Sequence, residues 1–220
     1  MALDRELLHR GDGHFYLRFY DWCPPALSIG YHQRHIPDQW HDLCTQFHFD
    51  LVRRPSGGRA VLHYQTLTYA LVCPQPRLDR PQTYQYLCGF LIEGLQALGI
   101  PVQWGQQKNY QFQPNCFATA SPSDLVTANG HKLIGSAQVY HRGTVLQHGT
   151  IVIHRHQELL RQFFGTGVEI GSIDTFPQFH NQSLGTIQQK LIQQLGHSAA
   201  TYFGVDFAYP RHAEELQFAF

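Results

Sequence analysis

Hydrophobic positions along this chain follow two periods. Residues 14–22 (HFYLRFYDW), 26–31 (ALSIGY), 49–54 (FDLVRR) and 66–72 (TLTYALV) are short runs of aromatic and branched side chains. Pro, Gly or polar clusters separate them, and this pattern predicts strands. The period changes over residues 83–98. There Tyr84, Leu87, Cys88, Leu91, Ile92, Leu95 and Leu98 recur at i, i+3 and i+4, with Gly99 and Pro101 as a stop; the spacing predicts a helix with Cys88 on its buried stripe. The opening ALDRELLHR and residues 38–46 read as short helices. Residues 74–82 and 103–114, rich in Pro, Gln and Asn, read as surface loops. Three more strands are predicted in SDLVTA, HKLIGSAQVYH and GTVLQHGTIVIH, joined by NG and RG turns, the first a strong hairpin signal. Helical patterns return at 156–164 and 183–203, the latter with Leu184, Ile187, Leu191, Ile192, Leu195 and Ala199 on one face.

Strands, one helix, more strands and then helices make an α+β order: mixed, mainly antiparallel sheets flanked by helices. Regular βαβ alternation is missing, which argues against a doubly wound nucleotide-binding sheet. A chain of 220 residues without repeats or a long linker is expected to form one domain over 1–220.

Composition narrows the function classes. Hydrophobic residues make up 43% and charged residues 15%, which favours a globular chain over a disordered one. Sixteen basic and sixteen acidic side chains cancel, so no global field collects nucleic acid or anionic membrane, and any anion site is local. No apolar run has the length of a membrane span, and MALDRELL lacks a signal-peptide core; a cytoplasmic protein is expected. Five cysteines, at 23, 44, 73, 88 and 116, form no C-x-x-C pair, so free thiols are expected rather than disulfides or zinc. Free cysteine usually serves as a small buried hydrophobe, the role expected of Cys23, Cys44, Cys73 and Cys88. Fifteen histidines repeat no ligand pattern; no metal site is expected, and His131, His141, His154 and His156 are assigned to strand ends and solvent faces.

Two stretches carry candidate chemistry. In VRRPSGGRAVLH, glycines let backbone approach a ligand, their amides can form an anion nest, and Arg53 or Arg54 offers bidentate charge for phosphate or carboxylate. A glycine pair between strands is, alone, most often a turn. In NGHKLIGSAQVYHRGTVLQHGTIVI, Lys132 precedes the small residues Gly135, Ser136 and Ala137, with His148, Gly149 and Thr150 on the next strand. Small residues clear space for a ligand, and a lysine there can polarise a carbonyl. Taken singly, this stretch reads as a hairpin with an exposed lysine.

Together the stretches resemble the biotin and lipoate protein ligase superfamily. LRFYDWCPPALSIGYHQ, VRRPSGGRAVLH, LTYALV, GHKLIGSAQ and VLQHGTIVI look like lipoate ligase and octanoyltransferase signatures, in order, over roughly residues 1–195. The resemblance implies a biotin/lipoyl ligase catalytic-domain fold. It puts Arg54, Ser56, Gly57, Gly58 and His63 in the loop that wraps the acyl ligand, Lys132 at the reacting carbonyl, Gly135, Ser136 and Ala137 along the acyl tunnel, and His148 and Gly149 in the facing wall. ATP-dependent ligases of this superfamily usually read SGGG, whereas this chain has Arg59 at the third position, where an arginine fills space a nucleotide phosphate would need. SDLV is similar to the NDLV of the ATP-dependent members. GGRAVLH resembles the octanoyltransferase branch that works through a cysteine in the loop before the GxKIxGSAQ strand, which is where Cys116 stands.

The resemblance therefore implies transfer of an octanoyl or lipoyl group to a carrier-domain lysine. Cys116 would be the nucleophile, its thiolate favoured by Lys132. The donor would be acyl carrier protein or a modified carrier domain, and the acceptor a lipoyl domain of the glycine cleavage H protein or a dehydrogenase E2. Transfer would need no cofactor; ATP and Mg belong to the alternative, a lipoate ligase acting through lipoyl-adenylate. A non-catalytic relative that binds an acyl group or carrier is the third reading. A monomer without a C-terminal accessory domain is expected.

Overall fold

The computed structural model describes residues 1–105, 121 and 123–208. Helix α1 (Ala2–Arg10) ends at Gly11 in the left-handed region and leads into strand β1 (Tyr16–Tyr20). Then come β2 (Ala26–Ile29), α2 (Asp38–Phe47), β3 (Asp50–Arg53), β4 (Val61–His63) and β5 (Thr66–Pro74). Helix α3 (Arg80–Ala97) opens with a capping box: the Asp79 carboxylate accepts from the Gln82 amide, and the Gln82 side chain accepts from the Asp79 amide. Each partner satisfies a backbone donor that the first turn leaves without one. Strands β6 (Val102–Trp104), β7 (Leu125–Thr127), β8 (Lys132–His141) and β9 (Thr144–Val152) follow, then α4 (Gln157–Phe164) and α5 (Leu184–Phe203).

Six strands form an antiparallel sheet in the order β1-β5-β9-β8-β7-β6, and three form a small sheet, β3-β2-β4, in which β2 and β3 are parallel. β4 lies outside the predicted strands, and β6 overlaps the start of a stretch that reads as loop. At three residues each they are too short to show an alternating pattern, and pairing with β2 and β7 defines them. The turn after β8 has Arg142 and Gly143 both at positive φ, the two-residue arrangement that matches strand twist.

Period-2 alternation decides what each face of the large sheet meets. On β5, Leu67, Tyr69, Leu71 and Cys73 join a core with Leu87, Leu91 and Leu95 of α3 and Ile187, Leu191 and Leu195 of α5. On the opposite face Ala70 and Val72, with Leu146 of β9, pack on Leu7 and Leu8 of α1. Farther along that face Val152 enters a third cluster with Leu27, Trp40, Leu62 and Phe163, where α2, α4 and the small sheet meet. The Trp40 indole N–H donates to the Phe163 carbonyl (2.6 Å) and satisfies the polar atom of the largest fully buried side chain. Between α1 and the small sheet, Thr68, His148 and Thr150 share this face and line a cavity.

Candidate active site

The lysine singled out in the sequence is the first residue of β8 and is 3% exposed. It is not the exposed lysine of an ordinary hairpin. Its ammonium pairs with Asp124 at 2.9 Å, and Asp124 is 4% exposed. The same Asp124 oxygen accepts from the Ser121 amide (2.7 Å) and hydroxyl (2.9 Å). Burial of both charges is tolerable because each has a partner and the carboxylate has further donors. Gly135 makes this geometry possible: a Cβ there would lie 2.7 Å from Lys132 Cε and 3.1 Å from Nζ. The space cleared by Gly135 is thus filled by Lys132 itself, where the sequence suggested a ligand. A Cβ on Gly149 would come within 2.6 Å of both the Gly135 carbonyl and the Tyr69 ring, so that glycine, too, clears room for protein atoms.

Lys132 and Asp124 open on a cleft of about 300 Å³ lined also by Gly57, Gly58, Arg59, Tyr84, Ser136, Ala137 and Gln138. Tyr84, from α3, accepts from the Gln138 amide (2.9 Å), and burial pushes its phenol up to about 12. A second void of about 50 Å³ shares Gly58, Ser136 and Ala137 with the cleft and runs between the two sheets, past Ser28, Arg54, His63, Thr68, His148 and Thr150. The loop 54–59 and the two strands singled out in the sequence therefore converge on two adjoining cavities.

The arginines do a different job from the one their sequence position suggested. Arg53 donates to the carbonyls of Gly30, Tyr31 and Gln33. Arg54, 5% exposed, donates to the carbonyls of Ser28, Gly57 and Arg59 and to the Ser28 hydroxyl. Both guanidiniums bind backbone carbonyls and shape the loop from within. Close packing reinforces it: a Cβ on Gly30 would stand 1.9 Å from the Gly58 carbonyl.

His63 lies on β4, not in the wrapping loop. Its Nε2 faces the Ser28 hydroxyl (2.8 Å) and its Nδ1 faces Thr150 Oγ1 (3.3 Å). Both ring nitrogens therefore have a hydroxyl partner, one from each sheet. Burial, with the charge of Arg54 and proximity of His148 added, holds His63 well below the usual imidazole range. Trp22 stacks on His63 with centroids 4.3 Å apart, and its N–H donates to Thr68 (2.9 Å). His148 Nε2 contacts the Ser56 hydroxyl.

Asp124, Tyr84 and Trp22 escaped the sequence reading. Asp124 left a signal in SDLV, an acid eight positions before the lysine and across a hairpin from it. Tyr84 and Trp22 left none, since one reads as helix stripe and the other as strand end. Cys116 lies outside the described residues. The residues that bracket 106–120 are anchored at the cleft: the Gly105 amide donates to the Asp124 carbonyl (3.0 Å), and Ser121 lines the cleft. Cys44, Cys73 and Cys88 are buried, as expected of inert thiols. Cys23 is exposed, a correction to its expected burial: it precedes Pro24 in the connection between β1 and β2 and packs in no core cluster.

Comparison with known proteins joins this geometry to a lineage. An octanoyltransferase LipM from Anoxybacillus flavithermus is 35% identical, over 74% of this chain and 64% of the relative. An octanoyltransferase LipM from Staphylococcus aureus is 37% identical, over 69% of this chain and 60% of the relative. The chain thus spans less than two thirds of the length of these relatives. Among solved structures, lipoate-protein ligase A bound with ATP aligns with a TM-score of 0.75 at 19% identity, covering 98% of this chain and 85% of that one. A bipartite lipoate protein ligase from Thermoplasma acidophilum, studied with its E2 lipoyl domain, aligns at 0.70 and 18%, covering 98% and 84%. At such identities the likeness establishes the α+β fold. The model of the lipoyl protein ligase A/B catalytic domain matches residues 1–199, and the chain belongs to that family.

Proposed function

We propose that this chain transfers an octanoyl group, or a lipoyl group, to the lysine of a lipoyl carrier domain through an acyl-enzyme on Cys116. The observation that carries the reading is the placement of Lys132 and Asp124 at a cleft whose rim includes Ser121 and lies beside Gly105, the two ends of the segment bearing Cys116. The LipM relatives point the same way. In this mechanism the Cys116 thiolate attacks the carbonyl carbon of an octanoyl thioester and the carrier thiol leaves. The ε-amine of the target lysine then attacks the thioester on Cys116, forming the amide and returning the thiol. The Lys132 ammonium, held by Asp124, stabilises the thiolate and donates to the oxyanion of each tetrahedral intermediate, an effect typically worth about 3 kcal/mol per donor. The cleft, with the void that adjoins it between the sheets, takes the alkyl chain.

On this reading neither nucleotide nor metal takes part, the donor is an acyl carrier protein or acylated carrier domain, and the acceptor is a lipoyl domain of the glycine cleavage H protein or of a dehydrogenase E2. The bipartite ligase studied with its E2 lipoyl domain supports that class of acceptor. Incubation with octanoyl carrier protein, without nucleotide, should raise the intact mass by one octanoyl group, and Cys116→Ala should abolish the gain. Product formation that survives Cys116→Ala, requires ATP and releases pyrophosphate would establish a lipoate ligase instead. Binding of octanoyl carrier protein without either reaction would identify a non-catalytic relative.

A further inference from the structure

A chain of buried polar groups runs from the N-terminal helix to the glycine loop. Asp4 of α1 is fully buried. It accepts from the Tyr20 hydroxyl (2.7 Å) and from Arg18 of β1, and the Met1 amino group lies 3.8 Å away. His148 Nδ1 sits 4.0 Å from the same Asp4 oxygen that Tyr20 reaches, and it has no hydrogen-bond partner among the described residues. That distance exceeds a hydrogen bond, so the interaction is electrostatic. A carboxylate facing Nδ1 favours the N–H there over a lone pair, and that tautomer suits Nε2 to accept the Ser56 proton.

We propose that Asp4, acting through His148, positions Ser56 and with it the Gly57–Gly58 loop over the acyl cavity, making the N-terminal helix a working part of the binding site. The reasoning rests on the acyl-transfer reading of that cavity. Ser56 belongs to the loop beside the small sheet, and His148 belongs to the large sheet, 92 residues later. Their bond ties the two walls of the cavity together, next to the Gly58 backbone shared by both compartments. The loop is held on its other side by the Ser56 carbonyl, which accepts from the Tyr31 amide (2.9 Å), and by Arg54. A loop fixed on both sides is ordered before the ligand arrives, so less conformational freedom is lost on binding.

Protonation of His148 would give Nε2 a proton, so the Ser56 hydroxyl would have to turn and accept where it now donates, which changes the anchor of the loop. The charged and titratable groups that face His148 are Asp4, Met1 and Arg54, with His63 on the neighbouring strand. Burial and the cations disfavour the imidazolium, and Asp4 favours it. Removing the Asp4 charge therefore moves protonation of His148 to lower pH.

The test is calorimetric titration of the 220-residue chain with sodium octanoate between pH 5.5 and 8.5, for wild type, Asp4→Asn, Ser56→Ala and Ser56→Thr. Wild type should bind at pH 8 and weaken toward pH 5.5. Ser56→Ala should bind roughly threefold to tenfold more weakly at pH 8, the ordinary worth of one neutral hydrogen bond, with the acidic decline flattened. Ser56→Thr should restore both. Asp4→Asn should weaken binding at pH 8 and shift the acidic decline to lower pH. Ser56→Ala leaves no buried charge behind, so it decides the matter if Asp4→Asn does not fold. Octanoate binding with the same pH profile in wild type and Ser56→Ala would overturn the positioning role while leaving the cavity as an acyl site. Failure of wild type to bind octanoate, and to be acylated, would overturn both.

Discussion

Removing one partner of the Lys132–Asp124 pair should cost far more than removing both. At 2.9 Å and an effective dielectric of about 20, the attraction is about 6 kcal/mol. Withdrawing two ions from water costs several kcal/mol each, so the intact pair contributes little net stability. Asp124→Ala removes the attraction and leaves an ammonium at 3% exposure, a loss of about 3–5 kcal/mol. Lys132→Met should fall at the low end of that range, because Asp124 keeps the Ser121 amide and hydroxyl. The double variant Asp124→Leu/Lys132→Met should recover most of the loss, since no charge remains buried. Equilibrium urea unfolding measures all three; with a slope near 2 kcal/mol/M, Asp124→Ala should lower the midpoint by roughly 1.5–2.5 M. Additive effects, or a loss below about 1 kcal/mol for Asp124→Ala, would refute the assignment of this pair as a buried, mutually dependent unit.

Other outcomes follow from single contacts. Gly149→Ala should destabilise by about 1–3 kcal/mol in thermal unfolding, because the new methyl meets the fixed Gly135 carbonyl at 2.6 Å. Gly135→Ala meets chiefly the flexible Lys132 side chain and should cost less stability while, on the proposed mechanism, reducing acyl transfer. In the native protein at pH 7.5, a thiol reagent should modify Cys23 within minutes and spare Cys73 and Cys88, whose thiols burial pushes up to about 12 and about 11; mass mapping after proteolysis reads this directly. Burial alone would raise the Asp4 pKa, but interaction with His148, the Met1 amine and Arg18 holds it at about 2, below its ordinary 3.8. Its folded value is depressed, so roughly 2 kcal/mol of stability is present above about pH 4 and is lost as pH falls toward 2. Acid titration of stability should show that loss in wild type and not in Asp4→Asn.

The sequence by itself determined the elements whose signal is local. The heptad-like stripe of α3, the aromatic runs of β1 and β5, and the SGGR, HKLIGSAQ and QHGT stretches are legible because side-chain period and glycine placement act over a few residues. They sufficed for the α+β class; that Lys132, Gly58, Ser136 and His148 belong to one site was implied only by the ordered resemblance of these stretches to the lipoate ligase superfamily. Tertiary structure decided what each group is for. Arg54 looks like an anion clamp in sequence, yet it spends its donors on carbonyls of Ser28, Gly57 and Arg59. Gly135 looks like ligand space and holds Lys132. Asp4 reads as an acid in a short helix, and it lies fully buried beside Arg18, Tyr20 and His148. The physical reason is that a donor's or a charge's role is fixed by the partner that meets it after desolvation: Ser28 reaches Arg54 from β2, Asp124 draws Lys132 back over Gly135, and Arg18, Tyr20 and His148 meet Asp4 from β1 and β9, encounters that no local period encodes.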